Sequence, residues 1–206
     1  MSDTNIKQHK KEQRAIPIGI TDFKRVIKEN YCYVDKSLCI KELLENKAGV
    51  TLLPRPRRFG KTLTLSMLRY FFEKSSESHA PLFEKLAIAQ HPEIMKLQGQ
   101  CPVIFFTFKE AKQADWESCY AKLSEVISNL FIEHNYLLEL STLTEKERAH
   151  FIALSEQNAS YEVVTSSLKN LSFYLEQYHG VKPVVLIDEY DAPIHSGYGN
   201  GYYEKI

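Results

Sequence analysis

Three short apolar runs, at 50–53, 103–108 and 184–187, interrupt a chain whose other apolar residues recur at helical spacing, and this alternation most constrains the fold. A run of four to six such residues is too short for a core helix and suits a strand buried on both faces of a parallel sheet. Between the runs, Ile40, Leu43 and Leu44 share one face of a helix predicted over 36–46, capped by Asp35 and ended by Gly49. Leu63, Leu65, Met67, Leu68, Phe71 and Phe72 leave little polar surface on a helix over 61–74, which must be packed nearly all round. Trp116, Tyr120, Leu123, Ile127, Leu130 and Phe131 recur every three or four residues on a long helix. Thr144 and Glu147 form a capping-box pattern, and a last helix runs from a Ser160 cap through Val164, Leu168, Leu171 and Leu175 to Gly180. Strand, helix, strand, helices, strand is the order of an α/β protein with a parallel sheet flanked by helices. The helical segment 115–179 is then an insertion.

Charge and composition exclude several classes. The 26 basic and 26 acidic residues cancel, so no global field draws the chain to nucleic acid or an anionic membrane. No apolar run approaches the roughly 18 residues of a membrane span, and residues 2–14 lack the apolar core of a signal peptide. Cys32, Cys39, Cys101 and Cys119 have no CxxC spacing and read as thiols of a reducing cytoplasm. Residues 1–14 carry almost nothing apolar and are expected to form a disordered tail, with one domain over 15–206.

The chemistry concentrates at two junctions. Between the first run and its helix lies Arg55-Pro56-Arg57-Arg58-Phe59-Gly60-Lys61-Thr62, which matches the phosphate-loop pattern except at the first glycine, here Arg55. Amides at a helix N-terminus converge on phosphate oxygens, Gly60 permits close approach, and Lys61 reaches the outer phosphates. The Thr62 hydroxyl suits magnesium. Gly-Lys-Ser/Thr arises by chance in roughly one chain in ten of this length, so its place between a strand and a helix does the discriminating. Arg57, Arg58, Phe59, Gly60, Lys61, Thr62 and Leu63 form the expected nucleotide-binding stretch. Arg57 and Arg58 are either extra phosphate ligands or solvated surface.

At the second junction, Val184-Val185-Leu186-Ile187 runs directly into Asp188 and Glu189, where ligands bind in open α/β sheets. Asp188 is expected in the magnesium shell with Thr62, and Glu189 as the base that polarises the attacking water. Lys61 joins Glu189 among the expected catalytic residues. Asp191 is expected to play a structural or supporting part, and His195 to lie in a loop.

On these residues the chain resembles the AAA-ATPase-like proteins of bacteria, which often carry a C-terminal nuclease-like domain of the PD-(D/E)xK type. The likeness extends from Ile16 onward and is carried by Pro17-Ile18-Gly19-Ile20 with Asp22-Phe23, Tyr33-Val34-Asp35-Lys36-Ser37, the segment 55–62, Pro102-Val103-Ile104, and Leu186-Ile187-Asp188-Glu189-Tyr190-Asp191-Ala192-Pro193. The family's loop also reads Arg-Pro-Arg-Arg-Phe-Gly-Lys-Thr, so Arg55 is its habit. The resemblance implies a P-loop NTPase-type fold, ATP and Mg2+ as ligands, and an adenine lying near 33–36. It implies further strands, a sensor residue, an arginine finger and a nuclease-like domain after residue 206, so the fold is expected to be incomplete at its C-terminus. In related ATPases a later strand separates the phosphate-loop strand from the acidic strand. Without it the two pair directly or leave a gap.

Three functions stay open: ATP binding with Mg-dependent hydrolysis in the complete protein, a nucleotide-dependent switch that does not turn over, and nucleic-acid binding through the basic segment 55–61.

Overall fold

The computed structural model describes residues 14–54, 56 and 59–206. The tail expected over 1–14 lies outside them apart from Arg14, as do Arg55, Arg57 and Arg58. The described residues form α1 (Phe23–Lys28), α2 (Leu38–Asn46), α3 (Lys61–Phe72), α4 (Pro92–Met95), β1 (Val103–Thr107), α5 (Trp116–Glu133), α6 (Glu145–Ser155), α7 (Tyr161–His179), β2 (Val184–Asp188) and α8 (Ala192–Asn200). Short 3-10 turns fill much of the stretch between α3 and β1.

Local chemistry sets the element ends. Asp22 caps α1 by accepting from the Arg25 amide at 2.7 Å, and Asp115 caps α5 by accepting from the Ser118 amide at 2.8 Å. The capping box of α6 is complete: Thr144 Oγ1 accepts from the Glu147 amide, and the Glu147 carboxylate accepts from the Thr144 amide at 2.8 Å. Gly180 ends α7 in the left-handed conformation at φ 70°, which costs a glycine little.

The two strands pair in parallel, from Val103 beside Val184 to Thr107 beside Asp188, and the Phe108 amide extends the ladder to the Asp188 carbonyl at 3.0 Å. Successive side chains alternate between faces, so the sheet divides two cores. On one face Val103 and Leu186 pack with α3, through Leu65, Met67 and Phe71, and with Phe23, Phe83 and Ile88. On the other, Ile104 and Phe106 pack with α5, α6 and α7, through Phe131, Phe151, Leu171 and Leu175. The helical segment therefore builds a core of its own on one side of the sheet. No described helix is long and apolar enough to cross a membrane, and no disulfide joins the four cysteines.

Several expectations need correction. Residues 50–53 form no strand: Val50 is 83% and Leu52 63% exposed, and only Leu53 leans on the first core. A strand is stabilised by a hydrogen-bonded neighbour, and among the described residues this run has none. Of the two expected arrangements, the direct pairing of that run with the acidic strand is absent; β2 pairs with β1 instead. The helix predicted over 36–46 begins at Leu38, because the Asp35 carboxylate is used by the Ser37 amide at 2.8 Å, and it ends at Lys47 in the left-handed region before Gly49 is reached. His195 was expected in a loop, but the segment after Asp191 forms α8 despite Gly197 and Gly199. Gly197 is buried where a Cβ would collide with Ile206 and crowd Tyr203, so its place in the helix follows from packing. His195 accordingly lies on a helix.

Candidate functional site

The head of α3 sits at the C-terminal end of the parallel strands. Gly60 precedes it at φ 75° and ψ 29°, a left-handed turn that a side chain would strain. Its carbonyl accepts from both the amide and the hydroxyl of Thr64 at 2.9 Å, which locks the first turn. The leading amides of any helix lack carbonyl partners within it, and among the described residues the N-cap of α3, Gly60, offers no side chain to cap them. The opening of this helix therefore presents donors and the positive end of the helix dipole to whatever lies in front of it.

Strand β2 delivers Asp188 to the same place. Asp188 is 6% exposed, and its Oδ2 accepts from Thr62 Oγ1 at 2.8 Å. These two residues are distant in sequence, and the packing of α3 against β2 brings them together. The contact puts two oxygen-bearing side chains, of the kind a hard cation takes as ligands, at a helix N-terminus. Lys61 is half-buried at the first position of α3. Leu63 is half-buried and packs against the first core, and Phe59 is 60% exposed. Glu189 follows directly, exposed and at φ 49°, where the chain turns from β2 toward α8 with the Glu189 carbonyl accepting from the Ala192 amide at 3.0 Å.

A further residue reaches the loop. Lys36 Nζ donates to the Phe59 carbonyl at 2.9 Å. Its neighbours are anchored in the opposite sense: Asp35 accepts from the Ala87 amide at 2.6 Å and the Ser37 amide, and the buried Ser37 hydroxyl accepts from the Ile88 amide at 3.1 Å. Burial pushes the Asp35 carboxyl up, but the hydrogen bonds from Ala87 and Ser37 outweigh it and hold it below its ordinary value. Just upstream, Tyr33 Oη donates to Met67 Sδ at 3.2 Å, and burial raises that phenol to about 12. Sequence reasoning placed 33–36 near an adenine and missed Lys36 as a neighbour of the loop. Its signal was the lone lysine between two hydrogen-bonding side chains.

Thr62 thus meets Asp188 and Lys36 meets the loop at Phe59 and Gly60, whereas Arg57 and Arg58 lie outside the described residues. Asp191 turns to His195, whose Nε2 lies 3.2 Å from Asp191 Oδ2 on α8. Two clefts among the described residues lie away from this place, one lined by residues from Glu73 to Gly99 beyond the far end of α3, another by residues from Tyr120 to Val164.

Comparison with known proteins bears on the family of the chain. An uncharacterized protein in the vnfD 5' region of Azotobacter chroococcum mcd 1 is 27% identical over 183 residues, which cover 88% of this chain and 30% of that protein. The chain therefore spans about a third of the length of that relative. No solved structure matches. The family described as predicted AAA-ATPase matches residues 17–206, nearly the whole sequence, and the chain belongs to that AAA-ATPase-like family.

Proposed function

We propose that residues 15–206 form a P-loop NTPase-type module that binds ATP with Mg2+ at the head of α3. The family's description as a predicted ATPase suggests ATP binding. The observation that carries the site is the 2.8 Å contact between Thr62 and Asp188 in the first turn of a helix that Gly60 opens without a capping side chain. Gly60 and the amides of Lys61, Thr62 and Leu63 would cradle the phosphates and Lys61 would neutralise their outer charge, with Phe59 at the loop's end; Arg57 and Arg58, expected as further phosphate ligands from their guanidinium chemistry, lie outside the described residues. Thr62 and Asp188 fit Mg2+, which keeps several waters and takes one or two protein ligands plus substrate phosphates. Bound there, the ion would supply neutralisation of the phosphate charge, and Thr62 and Asp188, already in contact at 2.8 Å, would be the side chains that hold it.

Titration of the 206-residue chain with ATP in excess Mg2+ tests this directly. Lys61→Ala is expected to weaken affinity by about 100-fold, a loss of ~2.7 kcal/mol in the range of a charge-assisted contact; equal affinity in the two proteins contradicts the site.

Hydrolysis belongs to the complete protein, with Glu189 as general base. In a longer protein containing this module, turnover is expected to fall by at least about 100-fold in Glu189→Gln while ATP affinity is kept. Turnover that survives the substitution assigns the base elsewhere.

A further inference from the structure

We propose that Lys36 is a positioning residue of the phosphate loop, one that fixes the peptide plane between Phe59 and Gly60. The proposal rests on the nucleotide reading above and deepens it. The Lys36 ammonium lies 2.9 Å from the Phe59 carbonyl, and 3.6 Å from where a Cβ on Gly60 would stand. In a trans peptide the carbonyl of one residue and the N–H of the next point in opposite directions. Holding the Phe59 oxygen toward Lys36 therefore turns the Gly60 N–H away from it. The orientation matters here because Gly60, at φ 75°, belongs to a residue type that moves freely between backbone regions. A flipped plane presents a carbonyl oxygen where an anion needs a donor.

The lysine is held firmly enough for this work. Asp35 and Ser37 on either side are tied to the amides of Ala87 and Ile88, and Ser37 is fully buried. Tyr33 ties the same strand-like stretch to Met67 on α3, the helix that the loop enters. The segment 33–37 is thus a rigid bracket between the body of the first core and the loop. Lys36, the member that reaches the loop, also brings a cation to Gly60 without belonging to α3.

The test uses the full 206-residue chain as wild type, Lys36→Met and Lys36→Arg, with two readouts. In the ligand-free proteins, the carbonyl 13C resonance of Phe59 is expected to move upfield in Lys36→Met and to stay near its wild-type position in Lys36→Arg, with the dispersion of core resonances unchanged in both. ATP in excess Mg2+ is then expected to bind Lys36→Met at least about tenfold more weakly than wild type, and Lys36→Arg within about threefold, as for loss and retention of a charge-assisted hydrogen bond. Wild-type affinity in Lys36→Met, or a Phe59 carbonyl indifferent to the substitution, overturns the role of Lys36 while leaving the nucleotide site standing. A Phe59 carbonyl that responds to Lys36→Met, together with a wild-type chain that has no affinity for ATP, overturns the nucleotide reading, and with it the purpose of the bracket.

Discussion

Two histidines show what burial costs a single residue. His134 follows α5 with 7% exposure, its Nε2 is buried without a hydrogen-bond partner, and its Nδ1 lies 3.4 Å from Tyr136 Oη, which in turn lies 3.0 Å from His179 Nε2. Burial, with smaller contributions from His179 and Arg69, pushes His134 down to about 4, and burial with Lys74 nearby lowers His179. The unfolded chain carries histidine near its ordinary value of about 6.5. Between those values the unfolded state binds a proton that the folded state does not, so stability is intact above about pH 6.5 and falls as pH drops toward 4. The slope from His134 is at most about 1.4 kcal/mol per pH unit. Urea unfolding from pH 7 to 4.5 is expected to show this decline, and to show a shallower one in His134→Gln, which takes up no proton. An unaltered slope places the acid sensitivity on other groups.

At the scale of elements, legibility followed locality. The α6 capping box needs only Thr144 and Glu147, three residues apart, and both of its hydrogen bonds form. Thr144→Ala is expected to lower stability by about 1 kcal/mol, measured as a shift of the urea midpoint with the slope unchanged; no shift means that α6 is held by its packing on α5 alone. Gly180 and the apolar faces of α5 and α7 were equally readable, for they too are properties of one segment. The run at 50–53 was not. Its composition fits a buried strand, but Val50 and Leu52 face solvent, because composition cannot supply the neighbour whose backbone completes the ladder. Helix α8 escaped notice for the converse reason. Three glycines within 197–201 argue against a helix, and the argument is reversed by the close approach of Tyr202, Tyr203 and Ile206 to Gly197, together with hydrogen bonds from Ser196 and Tyr202 to the Gln113 carbonyl.

Over the whole molecule, a two-stranded sheet separates two cores, and the proposed site lies where α3 and β2 meet at one end of it. The pairing of Thr62 with Asp188 was foreseeable, since Gly-Lys-Thr and an acidic strand end have chemistry that requires them to converge. The contribution of Lys36 was hidden because it depends on how the 33–37 bracket folds back across 87–88. On the helical face of the sheet Ile104 and Phe106 are covered, while Val185 and Ile187 beside them remain 43% and 37% exposed, so β2 presents apolar side chains as well as an edge. The proposed site requires that an anion and its divalent ion gather at the opening of α3. Titration of the isotopically labelled chain with ATP and Mn2+ in place of Mg2+ locates the ion, because paramagnetic broadening falls off steeply with distance. The amide resonances of Gly60, Lys61, Thr62, Leu63 and Asp188 are expected to vanish first and together. Broadening centred instead on the cleft between Glu73 and Gly99, or spread evenly over the chain, contradicts the assignment.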